Sequence, residues 1–305
     1  MSAPTIKLNN GEEIPVIGLG TWQSSPEQVV AAVAYAVKEA GYRHIDCAWG
    51  YNNEKEVGEG IKQSGVSRKD IFLTSKLWGT RHSEVEKALD EPWPILELIT
   101  WTVRNHPAFP TLPNGLRDVD HSWKLSDTWS QMEAMVKKGK VKSIGISNFS
   151  VKKMEEILPT ATIIPAVNQL ELHPYNPQHE LLAYLRSKGI VAQAYSPLGS
   201  TNSPLLKDEV VLNIAQKHSL QPSDVLLEWL VAHDVVALPK SVTPSRIASN
   251  LAGTLTAVGK LDKEDIAELD GLAASGKQKR FIMPPWPVDL GFDNWTAPMP
   301  QPSTK

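Results

Sequence analysis

Short apolar runs punctuate this chain, and between them apolar positions return every three or four residues. The runs are "HIDCA" (44–48), "IFLTSKL" (71–77), "SIGISN" (143–148), "AVNQLEL" (166–172), "IVAQAYSPL" (190–198) and "VVALPKS" (235–241). Each is apolar on both faces, which suits strands covered by helices on either side. The intervening segments have legible helix ends. In "SSPEQVVAAVAYAVKEAG", Ser25 is placed to cap, Pro26 suits the first turn and Gly41 closes the C-terminus. "SDTWSQMEAMVKKGK" and "PSDVLLEWLVAHD" follow the same logic. Strand and helix alternating at a spacing of roughly 25–45 residues predict a parallel sheet built from βαβ units.

An open, doubly wound sheet would carry a G-x-G-x-x-G turn after its first strand. The nearest approach, "IGLGTW" (17–22), runs on into Gln and Ser without a third glycine. Roughly eight repeats in 305 residues suit a closed α/β barrel, the (β/α)8 or TIM barrel. That fold puts catalytic groups at the C-terminal ends of strands. Asp46, Lys76, Asn148, Gln169, Tyr195 and Lys240 all fall at or near such ends, on six separate runs, which is more polarity than packing requires.

Composition removes several function classes. Lys and Arg number 31 against 34 Asp and Glu, with no basic run, so nucleic acid is not an expected partner. No apolar stretch approaches the roughly 20 residues that span a bilayer, and "MSAPTIKLNN" has neither the basic nor the apolar region of a signal peptide. Cys47 is the single cysteine and has no partner for an internal disulfide, as a reducing compartment allows. A cytoplasmic monomer acting on a small molecule is expected.

The chemistry concentrates in a few segments. "GYRHIDCAWGYNNEKEVG" (41–58) sets Asp46 in an apolar strand and Tyr51 in the loop beyond it, and "LTSKLW" buries Lys76 in the next strand. A buried ammonium needs a carboxylate, so Asp46 and Lys76 are expected to pair. A cation held near Tyr51 favours phenolate, and on that ground the phenol pKa is expected below its usual value of about 10. Tyr51 then serves as a proton donor to a developing alkoxide. An alkoxide implies hydride reaching a carbonyl, hence a nicotinamide site. Ser147, Asn148 and Gln169 offer carboxamide partners, and Tyr195 offers a ring face. In "LPKSVTPSRIASN" (238–250), Lys240, Ser241 and Arg246 converge near a helix start, which suits a 2′-phosphate and therefore NADP(H).

With "GYRHIDCAWGYNNEKEVG", "LTSKLW", "KVKSIGISNF", "AVNQLELHPY", "AYSPLGS" and "LPKSVTPSRIASN" in hand, the chain resembles an aldo-keto reductase over residues 5 to 296. The likeness is to the fungal glyceraldehyde reductase, glycerol dehydrogenase and aldose reductase branch. That resemblance implies a single (β/α)8 domain over 1–305, NADPH bound without a Rossmann unit, and reduction of aldehydes and ketones. No metal site is implied. It implies Tyr51 as proton donor tuned by Lys76 and Asp46, with Ser147, Asn148 and Gln169 on the carboxamide and Tyr195 stacked on the nicotinamide. Ser196, Leu198 and Ser200 follow the pyrophosphate; Lys240, Ser241, Thr243, Arg246 and Asn250 hold the adenosine phosphate end. Gly20, Thr21 and Trp22 border cofactor and substrate, and Trp49 and Trp78 wall the pocket. A C-terminal loop from about 280 to 305 covers it, with Phe292 and Trp295 as substrate contacts.

One stretch departs from the pattern. The family's fourth strand ends in His-Trp-Pro, whose His orients the substrate carbonyl, and "DEPWPILELITWTVRNHPAF" (90–109) has no such run. His106 aligns with the loop that follows, so it does not inherit the role. Codons for residues 91–102, read in a shifted frame, can encode Ala-Leu-Ala-Asp-Leu-Gly-Ile-Asp-Tyr-Leu-Asp, the run the family has there. A frame shift or splice error that also removed about ten further residues is the hypothesis this coding pattern supports. The fourth β/α unit is accordingly expected to be damaged or shortened around 91–104, with "ILELITWTV" a strand-like substitute. The alternative to an active reductase is an NADP(H)-binding barrel with impaired catalysis.

Overall fold

A computed structural model describes residues 3–89, 96–99 and 109–295, with the backbone alone for 96–99. An antiparallel hairpin, β1 (Thr5–Lys7) and β2 (Glu13–Pro15), opens the chain. Then come the strands β3 (Leu19–Gly20), β4 (His44–Asp46), β5 (Phe72–Leu77), β6 (Leu96–Ile99), β7 (Ser143–Ser147), β8 (Val167–Glu171), β9 (Val191–Tyr195) and β10 (Val235–Leu238). They form one eight-stranded parallel sheet in sequence order. Parallel bridges Ile17↔Ala237 and Gly20↔Lys240 join its two edges, with Gly18 N donating to Ala237 O at 2.9 Å and Gly20 N to Pro239 O at 3.0 Å. The sheet is therefore a closed barrel. Gly20 lies where strands meet tightly: a Cβ there would stand 3.1 Å from Leu238 O.

The helices surround it: α1 (Pro26–Tyr35), α2 (Glu54–Ser64), α3 (Val85–Ala88), α4 (Leu125–Lys137), α5 (Val151–Ile157), α6 (His179–Ser187), α7 (Glu209–His218), α8 (Pro222–Ala232), α9 (Pro244–Ala257) and α10 (Lys263–Gly271). Their ends follow the sequence signals. Ser25 accepts from Gln28 N in a capping box, Pro26 opens α1, and Gly41 ends the following turn at φ 90°. The hairpin closes the N-terminal end of the barrel, because Asn9 and Asn10 donate to Pro165 O, Lys142 O and Ser143 Oγ at the starts of β7 and β8. The opposite end is left free for a site.

The fourth barrel position is filled. β6 pairs in register with both neighbours, Lys76 opposite Leu98 and Leu98 opposite Gly145. The strand-like substitute thus takes the vacant place, while the helix before it is short, Val85–Ala88. Residues 91–95, 100–104 and His106 lie outside the described residues, as does 296–305.

Candidate active site

Asp46 ends β4 and Lys76 sits one residue before the end of the adjacent β5. Both are 4% exposed, burial that a lone charge would not tolerate. Lys76 Nζ donates to Asp46 Oδ1 at 2.8 Å, Asp46 Oδ2 at 2.9 Å and Cys47 O at 2.9 Å, so all three ammonium protons have acceptors. The same nitrogen stands 5.0 Å from the Tyr51 ring centroid, with Tyr51 on the short turn Trp49–Tyr51 after β4. Burial opposes the charge on Lys76, but Asp46 outweighs it and holds the ammonium pKa above its ordinary value.

The phenol departs from the sequence expectation. Burial raises the Tyr51 pKa and the Lys76 charge lowers it, and the balance leaves it pushed up to about 12. The direction expected from the cation alone is corrected: desolvation is the larger effect. Tyr51 keeps its proton across the neutral range, as a donor must.

Gln169 on β8 donates to Asp46 Oδ1 at 2.7 Å and to Gln193 Oε1 at 3.0 Å. Ser147 Oγ donates to Gln169 O at 3.1 Å, and Tyr195 OH donates to Asn148 Oδ1 at 2.9 Å. Asn148 (φ 60°) and Ser196 (φ 50°) are left-handed residues just past β7 and β9. They turn the chain outward where the strands stop.

These groups open into one cleft of about 970 Å³. It brings together Gly20, Trp22, Asp46, Tyr51, Lys76, Trp78, Ser147, Asn148, Gln169, Tyr195, Ser196, Leu198, Ser200, Lys240, Arg246 and Trp295. It does not bring in every expected residue. Trp49 lines a separate cavity behind β4 and β5, under Arg81 at 5.3 Å from its ring, because the Trp49–Tyr51 turn points Tyr51 inward and Trp49 out. Phe292 packs in the core, 6% exposed beneath Arg280. Thr21 is buried and donates to Asp46 O, so it braces the β4 end. Ser241 accepts from Thr243 N in the turn before α9, Thr243 is the N-cap position of that helix, and Asn250 is buried on it.

The cleft also holds residues that the sequence reading did not single out, chiefly Phe109, Arg117, Lys207, Arg280 and Trp286. Loop and tail positions carry no periodic signal. Gln193 did carry one, a polar residue between two alanines in "VAQAY". Among the described lining residues Asp46 is the one carboxylate, and it is committed to Lys76. Lys207, Lys240, Arg246, Arg280 and Arg117 have no carboxylate within ion-pair distance among the described residues. Lys240 donates only to Gln23 O, at 3.2 Å. A cleft so rich in uncompensated cations, beside the N-terminus of the fourteen-residue α9, fits a dinucleotide with an additional phosphate.

The class of protein follows from barrel, cleft and sequence together. The Aldo/keto reductase family pattern matches residues 16–274, and the chain belongs to that family. It is 47% identical over 311 residues to the D-galacturonate reductase of Hypocrea jecorina, which covers 96% of this chain and 99% of that one. It is 43% identical to the glycerol 2-dehydrogenase (NADP(+)) of Saccharomyces cerevisiae, over 93% of this chain and 96% of that protein. The aldose reductase of Schistosoma japonicum superposes with a TM-score of 0.83 at 40% identity, covering 92% and 94% of the two chains.

Proposed function

We propose that this protein is an NADP-dependent aldo-keto reductase that reduces aldehydes and ketones to alcohols, reversibly, with Tyr51 as proton donor. The observation that carries the reading is the Lys76 ammonium, 2.8 Å from Asp46 and beside the Tyr51 ring. When bound, NADPH supplies the hydride. Tyr51 then protonates the alkoxide oxygen, and Lys76 stabilises the phenolate left behind, an interaction strongest when that charge has formed. Asp46 fixes the ammonium in place. Gln169, Ser147 and Asn148 hold the carboxamide, the Tyr195 ring supports the nicotinamide face, and Lys240 with Arg246 takes the adenosine phosphate. Leu198, Ser196 and Ser200 border the pyrophosphate.

Residues 1–305 form one barrel domain in this reading, with the segment from about 280 covering the cleft. Ile282, Trp286, Leu290 and Trp295 line it, and Glu171 accepts from Phe281 N and Ile282 N to hold the segment down. The names of two relatives, a D-galacturonate reductase and a glycerol 2-dehydrogenase, favour small polyhydroxylated carbonyl substrates; glyceraldehyde, with glycerol as its alcohol, is the candidate taken from the resemblance. A cytoplasmic monomer fits a buried lone Cys47, and no helix among the described residues is long and apolar enough to cross a membrane. Among the described residues that line the cleft there is no histidine to stand for the family's orienting His, so turnover is expected about 10²–10⁴-fold below that of a barrel that has one.

The test is NADPH oxidation against a panel of aldehydes, with Tyr51→Phe as control. Slow oxidation that Tyr51→Phe abolishes supports the proposal. Cofactor binding, seen as quenched tryptophan fluorescence, with no oxidation on any aldehyde favours the impaired binding barrel instead.

A further inference from the structure

Among the buried polar side chains of the barrel strands that the roles above do not use, Gln193 is one that touches the site. Gln193, in the middle of β9, is 0% exposed. Its Oε1 accepts from Gln169 Nε2 at 3.0 Å, while its own Nε2 meets no acceptor. An amide donor buried without a partner is unfavourable, and an aliphatic residue between Ala192 and Ala194 would remove that cost. The part of Gln193 that has a partner is its acceptor oxygen.

That oxygen acts on Gln169. The Gln169 Nε2 has two protons, one directed to Asp46 Oδ1 at 2.7 Å and the other to Gln193. One hydrogen bond would leave the amide plane free to swivel about its terminal torsion, where rotamer preferences are broad. Two bonds on the same nitrogen fix it. With the nitrogen committed inward, the amide carbonyl oxygen is the group that Gln169 has left for the cleft it lines.

We infer that Gln193 is a positioning residue: it pins the Gln169 amide so that the cleft meets an acceptor at this point, and it thereby selects a ligand that donates there. Resting on the proposed NADP(H) function, the inference names the donor as the amino group of the nicotinamide carboxamide. Selection acts on the dinucleotide before any chemistry.

Binding titrations separate this from simple packing. NADP+ and its 3-acetylpyridine analogue, which carries a methyl group in place of the carboxamide amino group, are titrated by tryptophan fluorescence. The wild type is expected to prefer NADP+ by about tenfold, the worth of one hydrogen bond. Gln193→Met, which keeps the bulk and loses the acceptor, is expected to weaken NADP+ binding and leave the analogue unchanged, which removes most of the preference. Gln193→Glu, which keeps an acceptor oxygen, is expected to retain it. The inference is overturned if Gln193→Met lowers both affinities equally or leaves the preference intact, or if Gln193→Glu loses it. A wild type that reduces aldehydes yet binds both dinucleotides equally sinks this inference alone. One that binds neither sinks the proposed function with it.

Discussion

At the scale of single residues, opposed effects on one group decide the behaviour of the site. Tyr51 is protonated in the neutral range because burial outweighs the neighbouring Lys76 charge. Reduction needs the phenol and oxidation needs the phenolate, so the two directions should respond to pH with opposite sign. Alcohol oxidation is expected to rise with pH toward about 12, and aldehyde reduction to stay level through neutrality and fall only as the phenol ionises. Initial rates in both directions from pH 6 upward check this. A reduction rate that falls between pH 6 and 8 would contradict it. Glu228 gives a second residue-scale prediction. Burial raises its pKa to about 7, with Oε1 accepting from Gly259 N at 2.7 Å and Oε2 unpartnered. Since the folded pKa lies above the unfolded one, the folded state binds the extra proton between them. Stability from this group is therefore full at low pH and lost as pH rises through about 7. Melting temperature should decline from pH 5 to 8, and Glu228→Gln should flatten the decline.

At the scale of elements, close packing between α1 and α2 depends on one missing side chain. A Cβ on Gly60 would lie 2.8 Å from Val30 O and 2.8 Å from Val33 Cβ. Alanine is the better helix former, but backbone cannot yield as a flexible side chain does. Gly60→Ala is expected to destabilise by about 1–3 kcal/mol, read from the urea midpoint. The fourth unit shows a different balance. β6 completes the ladder, so backbone pairing is preserved there, and a cavity of about 640 Å³ lies beside α3, between α2, β5 and the segment that leads into β7. Transcript sequencing across residues 85–110 tests the shifted-frame origin: codons for 91–102 that cannot yield the family's run would exclude it. Replacing 91–102 by that run together with the missing strand end should raise turnover.

The whole molecule places distant residues around one cleft, and that gives a binding prediction. A ligand that bridges the ends of β7, β8, β9 and β10 binds the closed barrel and not the unfolded chain. NADPH at about a hundred times its Kd should stabilise the protein by about 2.7 kcal/mol, seen as a raised melting temperature. Arg246→Met should reduce that rise for NADPH far more than for NADH, since in the proposed function the guanidinium takes the phosphate that NADH lacks.

Much of this was legible in the sequence. Apolar runs located six barrel strands to within three residues at either end, and Ser25 with Pro26 marked the start of α1 and Pro222 that of α8. Asp46 and Lys76 were expected to pair because a buried ammonium in an apolar strand has few other ways to be tolerated. The strand-like run at 96–99 and its candidacy for the fourth barrel position were visible, but its register against β5 and β7 was not, since the neighbouring edges decide it. Tertiary structure alone settled the rest. It turned Trp49 away from the cleft and Phe292 into the core, because the direction of a side chain on a turn or tail depends on what packs behind it. It set the sign of the Tyr51 shift, because desolvation is a property of the enclosing fold and not of neighbours in sequence. It also joined Gln193 to Gln169 and Asp46, three residues far apart in the chain that meet because a closed barrel points them at the same interior.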